Sequence, residues 1–132
     1  MGRIKITVSS GAYLATAAGI LMLPLNWLVA WLSAVILHEL GHLLALRCCG
    51  ICVEKIEIGT FGVKITAGPL APAQEILCAA VGPICSFVLL LFWKSAPILA
   101  LIGFVQGLFN LIPVYPLDGG RILYAFLRLF RE

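Results

Sequence analysis

The stretch Ser33–Leu46, "SAVILHELGHLLAL", decides how the rest of the chain is read. Nearly every residue in it is apolar, yet His38, Glu39 and His42 interrupt it near the centre. Ionisable groups inside an apolar span are costly. Where they occur they face a protein interior or a water-filled cavity, and they carry function. On a helix the H-E-x-x-H spacing sets His38 and His42 one turn apart on one face, so that both rings can bind one zinc ion. Glu39 falls beside that ion, where a carboxylate can take a proton from water and later hand it to a leaving amine. A solvated charged face, the ordinary reason for such a string in a soluble helix, is not available inside an apolar span.

The wider composition agrees with a membrane setting. The chain has 132 residues, 62% hydrophobic and only 11% charged, which predicts a single domain over 1–132 that uses a bilayer as solvent for its apolar surface. A net charge of +3 gives no argument for a nucleic-acid partner. The opening "MGRIKITVSS" carries two early cations before an apolar run and superficially resembles a secretory signal. Because apolar segments recur along the whole chain, that run is read as an uncleaved membrane helix. The five cysteines, Cys48, Cys49, Cys52, Cys78 and Cys85, show no disulfide framework. The C-x-x-C of Cys49 and Cys52 reads as small apolar residues at a helix end.

Apolar segments run from about Gly11 to Leu23, Leu25 to Cys49, Ile76 to Trp93 and Ala96 to Ile112. The fold class expected is therefore an all-α polytopic membrane protein with about four membrane-embedded helices. The first segment is short for a full span, and the second has Trp27 and Trp31 near its start, where indoles favour the membrane interface. Such a topology puts Arg3, Lys5, Arg47, Lys55, Lys64, Arg121, Arg128 and Arg131 on one side and leaves Lys94 on the other. By the positive-inside rule both termini then face the cytoplasm of a multi-pass cell-membrane protein. Between the second and third segments, "ICVEKIEIGTFGVKIT" has β-branched runs either side of "GTFG" and predicts a short β-hairpin. After the fourth, "NLIPVYPLDGG" breaks the helix, and "RILYAFLRLFRE" predicts a short amphipathic helix leaving the membrane or lying at its surface.

A catalytic zinc usually has three protein ligands and an open position. No third histidine exists, so the remaining ligand comes from Glu54, Glu57, Glu75, Asp118 or Glu132. Glu54 and Glu57 lie in the hairpin, Glu75 at a helix entrance and Glu132 at the chain's end, all positions of ordinary solvated charges. Asp118 differs: it follows an apolar span in "YPLDGG", and irregular backbone at membrane depth is tolerated only against protein or a cavity. A turn aspartate is the plain alternative; the missing ligand favours the metal.

"HELGH" followed by "NLIPVYPLDGG" closely resembles the site-2 proteases, intramembrane zinc metalloproteases, and the order of segments is most similar to their bacterial sporulation-type branch. The resemblance implies one zinc ion held by His38, His42 and Asp118, with Glu39 as general base and acid. It further implies a substrate-positioning or oxyanion role for Asn110, which as a structural residue would instead cap the broken end of the fourth helix; both readings stay open. Many relatives carry asparagine shortly after the glycine-proline of the third helix, whereas "GPICSF" offers Cys85 and Ser86. Gly82 and Pro83 read as packing or kinking residues.

The function expected is hydrolysis of peptide bonds in or near transmembrane segments of membrane-anchored proteins, with release of transcription regulators implied by the resemblance. The hairpin would pair with an unwound, extended substrate, or serve as a simple connector. Gating of so small a core falls to a regulatory membrane partner or a homo-oligomer. The alternative from another class is a non-catalytic membrane binding protein that retains the metal-site scaffold; the intact Glu39 argues against it. A metal-transport role is poorer still, since no second polar pathway accompanies the site.

Overall fold

The computed structural model describes residues 2–60 and 62–132. The molecule is mostly helical, with a small sheet at one end. A strand β1 (Lys5–Val8) leads through Ser9 into helix α1 (Ser10–Met22), and Pro24 separates that helix from α2 (Leu25–Cys48). Strands β2 (Val53–Gly59) and β3 (Gly62–Ala67) form the hairpin; of the expected turn "GTFG", Phe61 lies outside the described residues. Helix α3 (Pro72–Val88) tightens into a 3-10 segment at Leu89–Phe92, and α4 (Pro97–Asn110) and α5 (Asp118–Leu129) complete the chain.

Local signals explain the boundaries. Ser9 caps α1 by accepting from the Ala12 amide at 3.2 Å. Helix α3 begins with Pro72, and the side chain of Gln74 reaches back to accept from the Ala71 amide at 3.0 Å. Helix α2 stops at Gly50, whose φ of 70° is the left-handed conformation that costs glycine least. There the Gly50 amide donates to the Arg47 carbonyl and the Ile51 amide to the Leu46 carbonyl, each at 3.0 Å, a Schellman ending that turns the chain into the sheet.

The expected hairpin is part of a larger sheet, which among the described residues has three strands in the order β1-β2-β3. The hairpin is antiparallel, as its sequence implied, and β1 adds to it in parallel with Lys5 opposite Lys55 and Val8 opposite Ile58. Val53, Ile65 and Ala67 of the hairpin pack on Ala45, Leu46 and Cys78, which seats the sheet on the end of α2 and the start of α3. On the polar rows the Lys55 ammonium, 2.7 Å from Glu57, holds that carboxyl below the usual range.

Among the described residues, two helices are long and apolar enough to cross a membrane: Leu25–Cys48, with 24 residues, and Pro72–Phe92, with 21. At 1.5 Å per residue each exceeds about 30 Å, the thickness of a bilayer's hydrocarbon core. Helices α1 and α4 are equally apolar, but their 13 and 14 residues are too short to do so alone. α3 is the centre of the bundle: α2, α4 and α5 all pack against it. α4 meets it through Gly103 and Gly107, where an added Cβ would press on Leu89 and Phe87. α5 is amphipathic as expected, but it is docked on α3, with Ala125 buried and Leu123, Tyr124, Phe126 and Leu127 left on its outer side.

Candidate metal centre

Three side chains from two elements converge at the middle of the bundle. His38 and His42 project from α2 toward α3, only 2% and 6% exposed, because four residues bring a helix back to the same face. Asp118 is the first residue of α5 and is 5% exposed. Its Oδ2 stands 3.0 Å from His38 Nε2 and 3.2 Å from His42 Nε2, and the two Nε2 atoms are 3.1 Å apart. Ligand atoms about 2.0–2.1 Å from a tetrahedral zinc stand roughly 3.3 Å from one another, so this triangle has the right edges.

The outer nitrogens show what the inner ones offer. His42 Nδ1 lies 2.8 Å from the Cys78 carbonyl, which can only accept, so Nδ1 carries a proton and the neutral form of the ring turns a lone pair inward at Nε2. His38 Nδ1 is 2.8 Å from the hydroxyl of Ser86, a residue with no exposed surface. With Ser86 accepting from Nδ1, His38 also presents a lone pair at Nε2. Two imidazole lone pairs and a carboxylate oxygen aimed at one point would repel one another; a divalent cation satisfies all three. The donor set therefore fits zinc, the borderline ion that imidazole and carboxylate suit.

Glu39 follows His38 on α2 and is half-buried. Asn110, the last residue of α4, donates from Nδ2 to the Gln106 carbonyl at 3.0 Å, a bond back into its own helix. Glu54 is exposed, and Glu57 belongs to the sheet. Glu75, expected to be a solvated charge, instead faces α5, 3.5 Å from Arg128 and 4.0 Å from Arg121.

Sequence reasoning missed the supports around the ligands. Ser86 departs from the relatives' asparagine, yet a polar residue in an apolar span is itself the signal that it has a partner. Gly82 is more than a general packing residue: it makes room for His42, since a Cβ there would collide with that ring. The two glycines after Asp118 have the same logic. A Cβ on Gly119 would run into the Leu111 carbonyl, and one on Gly120 into the Val114 backbone, so only glycine lets α5 begin this close to the preceding loop.

The chain is similar to known proteins in sequence and fold. Residues 92–132, covering α4, the loop and Asp118, match the model of peptidase family M50. A zinc metalloprotease of Methanocaldococcus jannaschii is 35% identical over 108 residues, covering 71% of this chain and 32% of that protein. Rip3 of Mycobacterium tuberculosis is 31% identical over 118 residues, covering 75% of this chain and 30% of its own length. Among solved structures, the site-2 protease from Methanocaldococcus jannaschii superposes with a TM-score of 0.76 at 28% identity, covering 94% of this chain and 67% of that one.

The chain carries a peptidase family M50 segment and resembles a site-2 protease in sequence and fold. It spans about a third of the length of the relatives matched by sequence. The geometry above is one that could hold a metal ion: two histidines of one helix and an aspartate from a second.

Proposed function

We propose that this chain is the catalytic core of an intramembrane zinc metalloprotease that cleaves membrane-anchored proteins in or near their transmembrane segments. The observation that carries this reading is the convergence of His38, His42 and Asp118 within 3.0–3.2 Å of one another, with Glu39 adjacent on the same helix. Bound there, zinc supplies Lewis acidity toward water and toward the scissile carbonyl. Glu39 accepts the proton of the attacking water and delivers it to the departing amide nitrogen, so that the amine leaves neutral. Ser86 and the Cys78 carbonyl hold the imidazoles in the tautomer that keeps both Nε2 lone pairs directed inward. Asn110 keeps its Nδ2 on the Gln106 carbonyl and offers its oxygen to a substrate amide.

A helical peptide bond is shielded by its own hydrogen bonds, so the substrate unwinds before it is cut. β3 is an edge strand of the sheet, and an extended peptide can add to that edge. In the membrane, α1 to α4 are the embedded helices, with α1 and α4 short enough to thin the bilayer around them. The basic residues Arg3, Lys5, Arg47, Lys55, Lys64, Arg121, Arg128 and Arg131 favour cytoplasmic termini. The 132 residues act as one catalytic domain, gated by a membrane partner or a second copy, and the substrates include tethered transcription regulators.

The test is cleavage of single-span membrane proteins in proteoliposomes containing the zinc-loaded chain. Glu39→Ala is expected to lower turnover by about 10²–10⁴ while zinc stays bound. Cleavage unchanged in that variant would remove Glu39 as the base. Zinc-loaded protein that binds partner helices and never cuts them would favour a scaffold role instead.

A further inference from the structure

We propose that Glu75 and Arg121 are positioning residues for the third metal ligand. The inference rests on His38, His42 and Asp118 being the ligands and concerns how the last of them is aimed. Two ligands share α2, so their spacing is set by the helix itself. Asp118 hangs from the first turn of α5, and the rotation of that helix decides where its carboxylate points.

The charges along α5 fix that rotation. Asp118 turns Oδ2 to the histidines and leaves Oδ1 3.7 Å from Arg121 Nη1, one turn along the same helix. Arg121 Nε is 4.0 Å from Glu75 Oε1, and Glu75 Oε2 is 3.5 Å from Arg128 Nη1. Residues 121 and 128 are seven apart, which puts them on one face two turns from each other. A single carboxylate from the first turn of α3 thus holds both ends of α5, and Arg121 bridges that carboxylate to the ligand. The Glu75 side chain is 17% exposed and that of Asp118 7%, against 30% and 38% for the two arginines. The acids are largely withdrawn from water, and the guanidinium planes give the bridge a direction that a flexible ammonium would not. Ion pairs this long and this exposed at their basic ends add little to stability. Their effect is on orientation: α3 already supports both histidines, and through Glu75 it supports the aspartate too.

The experiment is zinc affinity of the full chain in detergent, measured by competition with a chelator. Glu75→Gln and Arg121→Gln are each expected to weaken zinc about 10-fold, the scale of a lost supporting contact. If one variant fails to fold, the other carries the same expectation. Cobalt(II) in place of zinc is expected to show altered visible bands in both. In an Asp118→Ala background, where only the histidines hold the ion, Glu75→Gln should cause no further loss. Unchanged affinity in the folded single variants overturns the proposal. An equal loss with and without Asp118 also overturns it, because the clamp would then act on the fold in general. Full zinc affinity in Asp118→Ala alone would overturn the ligand assignment beneath it, a separate failure.

Discussion

His38 and His42 reach the metal point from inside one uninterrupted helix, whereas Asp118 reaches it from the first residue after an irregular loop. The histidines inherit their spacing from the helical repeat, and any stable α2 presents them together. The aspartate inherits nothing of the kind. Its position depends on α5 starting against the backbone of 111–115, which Gly119 and Gly120 allow, and on the charges that tie α5 to α3. Two of the proposed ligands are thus set by local chain geometry and the third by tertiary packing, so perturbations should divide between them.

The largest effect is expected where the third ligand is most constrained. Gly120→Ala forces a Cβ into the Val114 backbone, and zinc affinity should fall about 100-fold in a chelator competition while circular dichroism still reports the helices. Retained affinity would mean that α5 can start elsewhere. Zinc removal should then separate the two regions dynamically. Zinc at a hundred times its dissociation constant stabilises the folded state by about 2.7 kcal/mol. Its chelation should raise hydrogen exchange in α5 well before α2, and equal changes in both would break the contrast. Ser86→Ala removes the partner of His38 Nδ1 and should weaken zinc about 10-fold, which would show that even a helix-borne ligand needs outside support. At the small end, Gly50→Ala puts a side chain at φ 70° and should cost about 1–2 kcal/mol in thermal unfolding with zinc affinity unchanged. A change in affinity there would couple the Schellman turn to the site.

The same division explains what could be read from the chain. Helix positions, the hairpin and the H-E-x-x-H face follow from periodicity and turn residues, which are local signals. Asp118 was accessible by elimination, since only a few carboxylates were available and one sat in broken backbone after an apolar span. β1 was not legible: "KITV" alternates like a strand, but it is four residues long and its partner lies some fifty positions away in β2. Glu75 looked like a solvated charge because its arginines come from α5, and ion pairing across a fold leaves no trace in spacing. Ser86 and Gly82 were visible as residue types, but their partners were not.

α3 contributes no ligand, yet the hydroxyl of Ser86, the carbonyl of Cys78 and the carboxylate of Glu75 each stand behind a different arm of the site. For protein engineering this changes what counts as the portable unit. Transplanting the HELGH helix alone would carry the recognisable motif but leave the rings free to rotate and flip tautomer. A graft intended to hold zinc in another scaffold should take α3 as its template and treat the histidine helix as the replaceable part.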